Sequence, residues 1–188
     1  MADPNTQLAD AALKLLAKMA WRDLNLMQVA RAAKVPAANL QTIAPDKPAL
    51  LGLILRRIGG ETARRYRRDS ASDTRDRLLD VALVAFETLK PRKAAIRSLY
   101  DGLKRDPLML IAGRAEIIAA ANWLLTLAEA DTGAALPARA LVLAGILARG
   151  VPVWLEDDKQ MTRTMAQLDG DLRRGETLFR RRRSSDAG

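Results

Sequence analysis

Apolar residues recur at helical spacing from near the start of this chain to residue 172, with no run of strict alternation that would signal a strand. Leu8, Ala11, Ala12, Leu15, Leu16 and Met19 define the apolar face of a first helix, and Lys14 and Lys18 point away from it. Asn25 starts a second helix, because its side chain can cap the first turn while Gln28, three residues on, reaches back as in a capping box. Leu26, Val29 and Ala30 form the inward face. Lys34-Val35-Pro36 interrupts the pattern, since proline lacks the amide hydrogen a helix interior needs. Ala37 to Ile43 then makes a short third helix with Leu40 and Ile43 inward. Pro45-Asp46-Lys47-Pro48 is a stop and restart, with Asp46 capping a long fourth helix that holds Leu50, Leu51, Ile54, Leu55 and Ile58.

The polar stretch Asp69-Ser70-Ala71-Ser72-Asp73 marks a domain boundary and offers Ser72 or Asp73 as the next cap. A fifth helix follows to about Leu89, with Leu78, Leu79, Ala82, Phe86 and Leu89 inward. Pro91 starts a sixth, carrying Ile96, Leu99, Tyr100 and Leu103. Asp106-Pro107 starts a seventh, which is expected to run through Ile111, Ile117, Ile118, Trp123 and Leu127. After a turn at Asp131-Thr132-Gly133, Pro137 opens an eighth helix that is apolar on all sides from Ala140 to Ala148, as suits a core or an interface. Gly150 and Pro152 are expected to kink or interrupt it before Trp154. Glu156-Asp157-Asp158 can be read as paired carboxylates or a cation site. The favoured reading is the cap of the last helix, where negative charge suits the positive dipole end. That helix aligns Met161, Met165, Leu168 and Leu172 and ends in Arg180 to Arg183 and a polar tail expected to fray. The chain is therefore expected to be all-α, with about nine helices, divided into a head at 1–70 and a body at 71–188.

Composition narrows the chemistry. The chain has no Cys and no His, which removes disulfides, thiolate nucleophiles, imidazole acid–base work and the usual zinc sites. No metal, cofactor or catalytic residue is expected, and an enzyme is disfavoured. MADPNTQLAD lacks the basic and apolar regions of a secretory signal, and uninterrupted apolar runs are short, so a cytoplasmic chain is expected. The net charge of +9 is uneven. Residues 1–70 carry twelve Lys/Arg against six Asp/Glu, 71–159 carry twelve against twelve, and 160–188 carry seven against four. A basic head on a neutral body suits a head that binds a polyanion. Arg56, Arg57, Arg64, Arg65, Arg67 and Arg68 form a cluster that can touch phosphates, pair with acids of the body, lie on an anionic membrane, or simply be solvated.

Helix, short turn, helix is the arrangement that sets a second helix into a DNA major groove. With Ala17, Trp21, Asn25, Val29, Ala30, Ala33, Val35, Leu40, Lys47, Ala49 and Leu50 in place, the chain resembles TetR-type (tetracycline-repressor-like) regulators over most of its length. The resemblance implies a DNA-binding head, a connecting fourth helix and a helical body that pairs with a second subunit through its last two helices. It departs from the pattern at Ala20, Lys34 and Pro36. It departs again late in the recognition helix, where Gln41, Ile43 and Ala44 replace the usual aromatic residues. The DNA-facing set is then Asn25, Lys34, Ala37, Ala38, Asn39, Gln41, Thr42 and Lys47. Asn39, Gln41 and Thr42 are candidate base readers, Ala37 and Ala38 can meet thymine methyl groups, and Arg22, Arg31, Lys34 and Lys47 are left to hold phosphates.

The resemblance further implies a homodimer on a palindromic double-stranded site, controlled by a small apolar ligand. Pocket candidates are Leu79, Phe86, Leu99, Tyr100, Ile117 and Trp123, each also readable as plain core. Residues 73–99, 122–133 and 153–176 also resemble the TetR-fold accessory proteins of ubiquinone biosynthesis. This alternative implies a lipid in the body, a vestigial head, and peripheral contact with an anionic membrane through the basic C-terminal helix that carries Leu178 and Phe179.

Overall fold

Helix follows helix along the chain: α1 (Pro4–Leu16), α2 (Leu26–Ala33), α3 (Ala37–Ile43), α4 (Lys47–Arg65), α5 (Thr74–Leu89), α6 (Lys93–Arg105), α7 (Pro107–Ala112), α8 (Arg114–Leu127), α9 (Leu136–Leu155) and α10 (Thr162–Arg183). Single 3-10 turns at Trp21–Asp23 and Lys90–Arg92 lead into α2 and α6. This computed structural model describes the backbone of residues 3–69, 71–130 and 136–183, and side chains as far as residue 175. The turn expected at Asp131-Thr132-Gly133 and the side chains of Leu178, Phe179 and Arg180 to Arg183 lie outside the described residues. Among the described residues the fold is all-α and has no strand.

The helix starts follow the capping chemistry of the sequence. Asp46 Oδ1 accepts from Ala49 N at 2.7 Å, Asp73 Oδ1 from Asp76 N at 2.8 Å, and Asp106 Oδ1 from Met109 N at 2.9 Å. Each satisfies an amide that a helix N-terminus leaves open. The acidic turn before α10 is a cap as well. Asp157 Oδ2 accepts from both the amide and the hydroxyl of Thr164, each at 2.7 Å, and Asp158 Oδ1 accepts from Gln160 N and Met161 N. Burial pushes the Asp157 carboxyl up, but the Thr164 and Asp158 hydrogen bonds outweigh it and hold the group below the usual carboxylate range.

Two compact units emerge, and they interleave along the chain: Met1–Arg64 with Glu87–Ala120, and Arg65–Phe86 with Ala121–Gly188. In the first, α1 packs on α2 and on α6. Leu8, Ala9, Ala12, Leu13 and Leu16 are the buried stripe of α1; the helix ends at Leu16, so Met19 falls beyond it. Trp21 is buried, as a core anchor should be, and its closest fit is to α6. A Cβ on Gly102 would come within 2.5 Å of Trp21 Cβ, so only glycine leaves room for the ring at that point. Ser98 Oγ, also on α6, donates to Met19 O at 2.7 Å.

The expected seventh helix is two helices. α7 ends at Ala112, and Gly113 separates it from α8, with a Cβ at Gly113 meeting Leu51 at 2.8 Å. The break changes the phase of the apolar pattern, so Ile111 is exposed rather than inward.

In the second unit α9 and α10 pack antiparallel. Gly175 lies against Val142 and Ile146, and Gly150 against Leu168. The interruption expected at Gly150 and Pro152 does not occur, because α9 continues through both to Leu155. Pro152 sits in the last turn, so the one ladder bond it removes, to the carbonyl of Ala148, has only three residues of helix beyond it. Gly150 serves packing, since a Cβ there would approach Phe86 Cζ to 3.1 Å. By length and composition α9 alone among the described helices suffices to cross a membrane. It is built as a core helix here. Ala140, Leu143, Ala144, Ile146, Trp154 and Leu155 are buried, Arg139 donates to Ala130 O, and Arg149 pairs with Asp171. On α10, Leu168 and Leu172 are buried, whereas Met165 of the expected stripe is exposed.

Candidate nucleic-acid interface

The α2–turn–α3 segment is held by backbone-directed bonds that the sequence encodes. Asn25 Oδ1 accepts from Met27 N at 2.8 Å, and Asn25 N donates to Gln28 Oε1 at 3.2 Å, completing the capping box. Lys34 closes α2 in the left-handed region, at φ 57° and ψ 35°. Its amide donates to Arg31 O, and Val35 N donates to Ala30 O at 3.0 Å, a Schellman closure with Val35 and Ala30 both buried. The position therefore demands the conformation for which glycine is best suited, and a lysine adopts it.

Pro36 places α3 directly after this turn. Leu40 is buried and Ile43 half-buried, while Ala37, Ala38, Asn39, Gln41 and Thr42 are exposed. At 100° per residue these five cover one continuous outward arc of the helix. The structure thus brings together five of the eight expected DNA-facing residues. Lys34 is exposed at the start of the same segment. Asn25 is exposed, but its side-chain oxygen is committed to the cap. Lys47 is elsewhere: its ammonium donates to Trp21 O and Arg22 O, both at 3.0 Å, and lies 5.6 Å from the Trp21 ring centre. It ties α4 to the turn before α2. Two of its three donors are thereby used inside the protein.

Chemically, the α3 arc offers two amides and a hydroxyl, which can bond base edges, and two methyl groups. It carries no charge. The flanking cations on exposed positions are Arg22, Arg31 and Lys34, with Arg22 in a solvent-exposed pair with Asp23.

Three of the six arginines in the 56–68 cluster pair with acids, the second of the readings open in the sequence. Arg56 pairs with Glu116 at 2.9 Å and Arg68 with Glu129 at 2.9 Å. Arg57 forms the centre of a chain of four groups. It binds both oxygens of Asp10 on α1, at 2.9 and 3.3 Å, and Glu61 one turn along α4 at 2.7 Å. Glu61 in turn receives both terminal nitrogens of Arg92, at 2.7 and 2.8 Å. The Asp10 hydrogen bond holds the Arg57 guanidinium above its ordinary value, against the opposing effect of burial. Sequence reasoning missed this chain because two of its three links, Asp10–Arg57 and Glu61–Arg92, span 47 and 31 positions, which no local spacing marks; Arg57–Glu61 is the one i,i+4 pair.

The six pocket candidates do not share one compact unit. Leu99 is buried and Tyr100 and Ile117 half-buried in the first; Leu79 is half-buried and Phe86 buried in the second, where Trp123 is 44% exposed. Phe86 rests against Trp154, with ring centres 5.8 Å apart. A cleft of about 320 Å³ in the first unit is lined instead by α1 and the start of α6, including Asp10, Lys14 and Arg92.

The arrangement as a whole matches solved structures. A TetR transcriptional regulator from Rhodococcus sp. RHA1 superposes with a TM-score of 0.64 at 15% identity, covering 90% of this chain and 93% of that one. The TetR transcriptional regulator from Nitrosomonas europaea ATCC 19718 superposes with a TM-score of 0.65 at 14% identity, covering 91% and 96%. No protein-family model matches the sequence, and no curated protein matches it significantly. This chain has the fold of TetR regulators.

Proposed function

We propose that the protein is a TetR-like, DNA-binding transcriptional regulator of the cytoplasm. It acts as a homodimer through α9 and α10 on a palindromic double-stranded site, with a small apolar ligand of the body controlling the spacing of the heads. The observation that carries this reading is the α2–turn–α3 geometry. A capped helix, a left-handed turn and a short helix present five small or amide-bearing residues outward, on a fold shared with two TetR regulators. Asn39, Gln41 and Thr42 read base edges, Ala37 and Ala38 meet thymine methyl groups, and Arg22, Arg31 and Lys34 hold phosphates. Leu141 and Met165, large apolar side chains exposed on α9 and α10, support pairing through those helices. Two buried polar atoms of the second compact unit, Tyr66 Oη and Asn122 Oδ1, have no hydrogen-bond partner among the described residues and can meet a polar end of an otherwise apolar ligand.

One observation favours a second reading. The recognition arc carries no charge and Lys47 is turned inward, as expected of a head no longer used on DNA in a lipid-binding accessory protein. A fluorescence-anisotropy titration against DNA from upstream of the chain's own gene, repeated at several salt concentrations, separates the two. Saturable binding tighter than to scrambled DNA supports the regulator; its absence, with lipid co-purifying, supports the accessory protein.

A further inference from the structure

We propose that α7, with the cations at its two ends, is a docking surface for an anionic lipid membrane. α7 has the sequence PLMLIA and buries only Met109 among its large side chains. Leu108 is 78% exposed, Ile111 59% and Leu110 46%. Three adjacent aliphatic side chains standing in water mark an interaction surface rather than scattered exposure. The helix that carries them is fixed. Asp106 caps it through Met109 N, Gly113 N donates back to Met109 O at 2.9 Å, and Gly113 is seated on Leu51.

The charges around it complete the pattern. Lys104 and Arg105 precede the helix and Arg114 follows it, all three exposed and without an ion-pair partner among the described residues. Of the nearby acids, Asp106 is engaged as the cap and Glu116 is paired with Arg56, while Asp101 is half-buried. Aliphatic side chains that enter the acyl boundary, ringed by cations that meet headgroup phosphates, are the chemistry of interfacial binding. Six residues are far too few to span a bilayer. Exposed aliphatic side chains on one short helix, flanked by three cations, call for an occupant that offers apolar depth and negative charge together, as an anionic lipid layer does. Each cation near such a surface strengthens binding about fivefold at low salt.

Flotation of the full chain with vesicles tests this. The chain is expected to float with phosphatidylcholine vesicles containing a third phosphatidylglycerol at low salt, and not with phosphatidylcholine alone. Leu108→Ser combined with Ile111→Ser lowers the bound fraction at least about tenfold, with an unchanged circular dichroism spectrum. Replacing Lys104, Arg105 and Arg114 by Ser together does the same and removes the salt dependence. Three results overturn the proposal. They are no flotation of the parent chain on any vesicle, equal flotation of the parent and the Leu108/Ile111 variant, and loss of self-association in that variant in place of flotation, which would assign the face to a second copy of the chain.

Discussion

Removing Glu61 should expose how strongly α1, α4 and the start of α6 are tied together. Its side chain is 13% exposed and accepts from two guanidinium groups, Arg57 at 2.7 Å and Arg92 at 2.7 and 2.8 Å. In Glu61→Ala, Arg57 keeps Asp10, but Arg92 is left with only the Thr88 carbonyl at 3.5 Å. Breaking a fully buried pair destabilises by about 3–5 kcal/mol, and breaking an exposed one by about 1 kcal/mol or less. The arginine side chains are 21% and 25% exposed, which places this site between the limits and nearer the buried one, at about 2–3 kcal/mol. For a chain of this length that is a fall in Tm of about 5–10 °C. A double-mutant cycle with Arg92→Ala, read by urea unfolding, should return a coupling of about 1–2 kcal/mol. If Glu61→Ala lowers Tm by under about 2 °C and the two substitutions simply add, the network does not hold these helices together and the reasoning fails.

Three further changes follow from the same geometry. Lys34→Gly should stabilise the head by about 1 kcal/mol, because the left-handed turn at φ 57° strains a side chain but not glycine; a lower urea midpoint in the variant would contradict this. Gly102→Ala should destabilise by about 1–3 kcal/mol through overlap with Trp21, visible as a loss of urea midpoint with a red-shifted tryptophan emission. Asp157→Ala should cost about 1–2 kcal/mol near neutral pH by removing the α10 cap. Because the folded Asp157 carboxyl lies below its ordinary value, its contribution is complete above the unfolded value of about 3.9 and fades as pH falls through the folded one. The parent and variant melting curves should therefore converge in acid, and a constant gap down to the lowest pH would rule out the charged cap.

Much of the fold was legible because helix boundaries are written locally. Asn25 with Gln28, Asp46, Asp73 and Asp106 each announce a start within three residues, and each makes that bond. Periodicity alone carried the burial of Val29, Leu40, Leu50 and Ile54. The failures are of another kind. In sequence Gly150 reads as a breaker and Gly113 passes unmarked inside a helix, yet Gly113 separates two helices against Leu51 and Gly150 packs inside α9 against Phe86. Only the neighbouring element decides which role a glycine takes. Lys47 matches a phosphate-contacting position by sequence, but the carbonyls that hold it belong to residues 25 and 26 positions away. The exposure of Ala37, Ala38, Asn39, Gln41 and Thr42 was readable because α3 is short and Leu40 fixes its inward side; the division of Leu79, Phe86, Leu99, Tyr100, Ile117 and Trp123 between two compact units was not, because contacts between residues far apart in sequence set those units.

The most direct test of the central claim is a specificity titration with the α3 arc altered. Asn39→Ala combined with Gln41→Ala leaves the charge of the head unchanged, and both positions are exposed, so folding is preserved. Against DNA from upstream of the chain's own gene, the variant should lose about 2–6 kcal/mol of the preference over scrambled DNA, at about 1–3 kcal/mol for each amide contact, while the dependence of binding on salt stays the same. Lys34→Ala should do the opposite, weakening both DNAs alike and reducing the salt slope by about 1 per head. A parent chain with no preference for its own DNA, or an Asn39/Gln41 variant with the preference intact, would contradict a recognition role for α3.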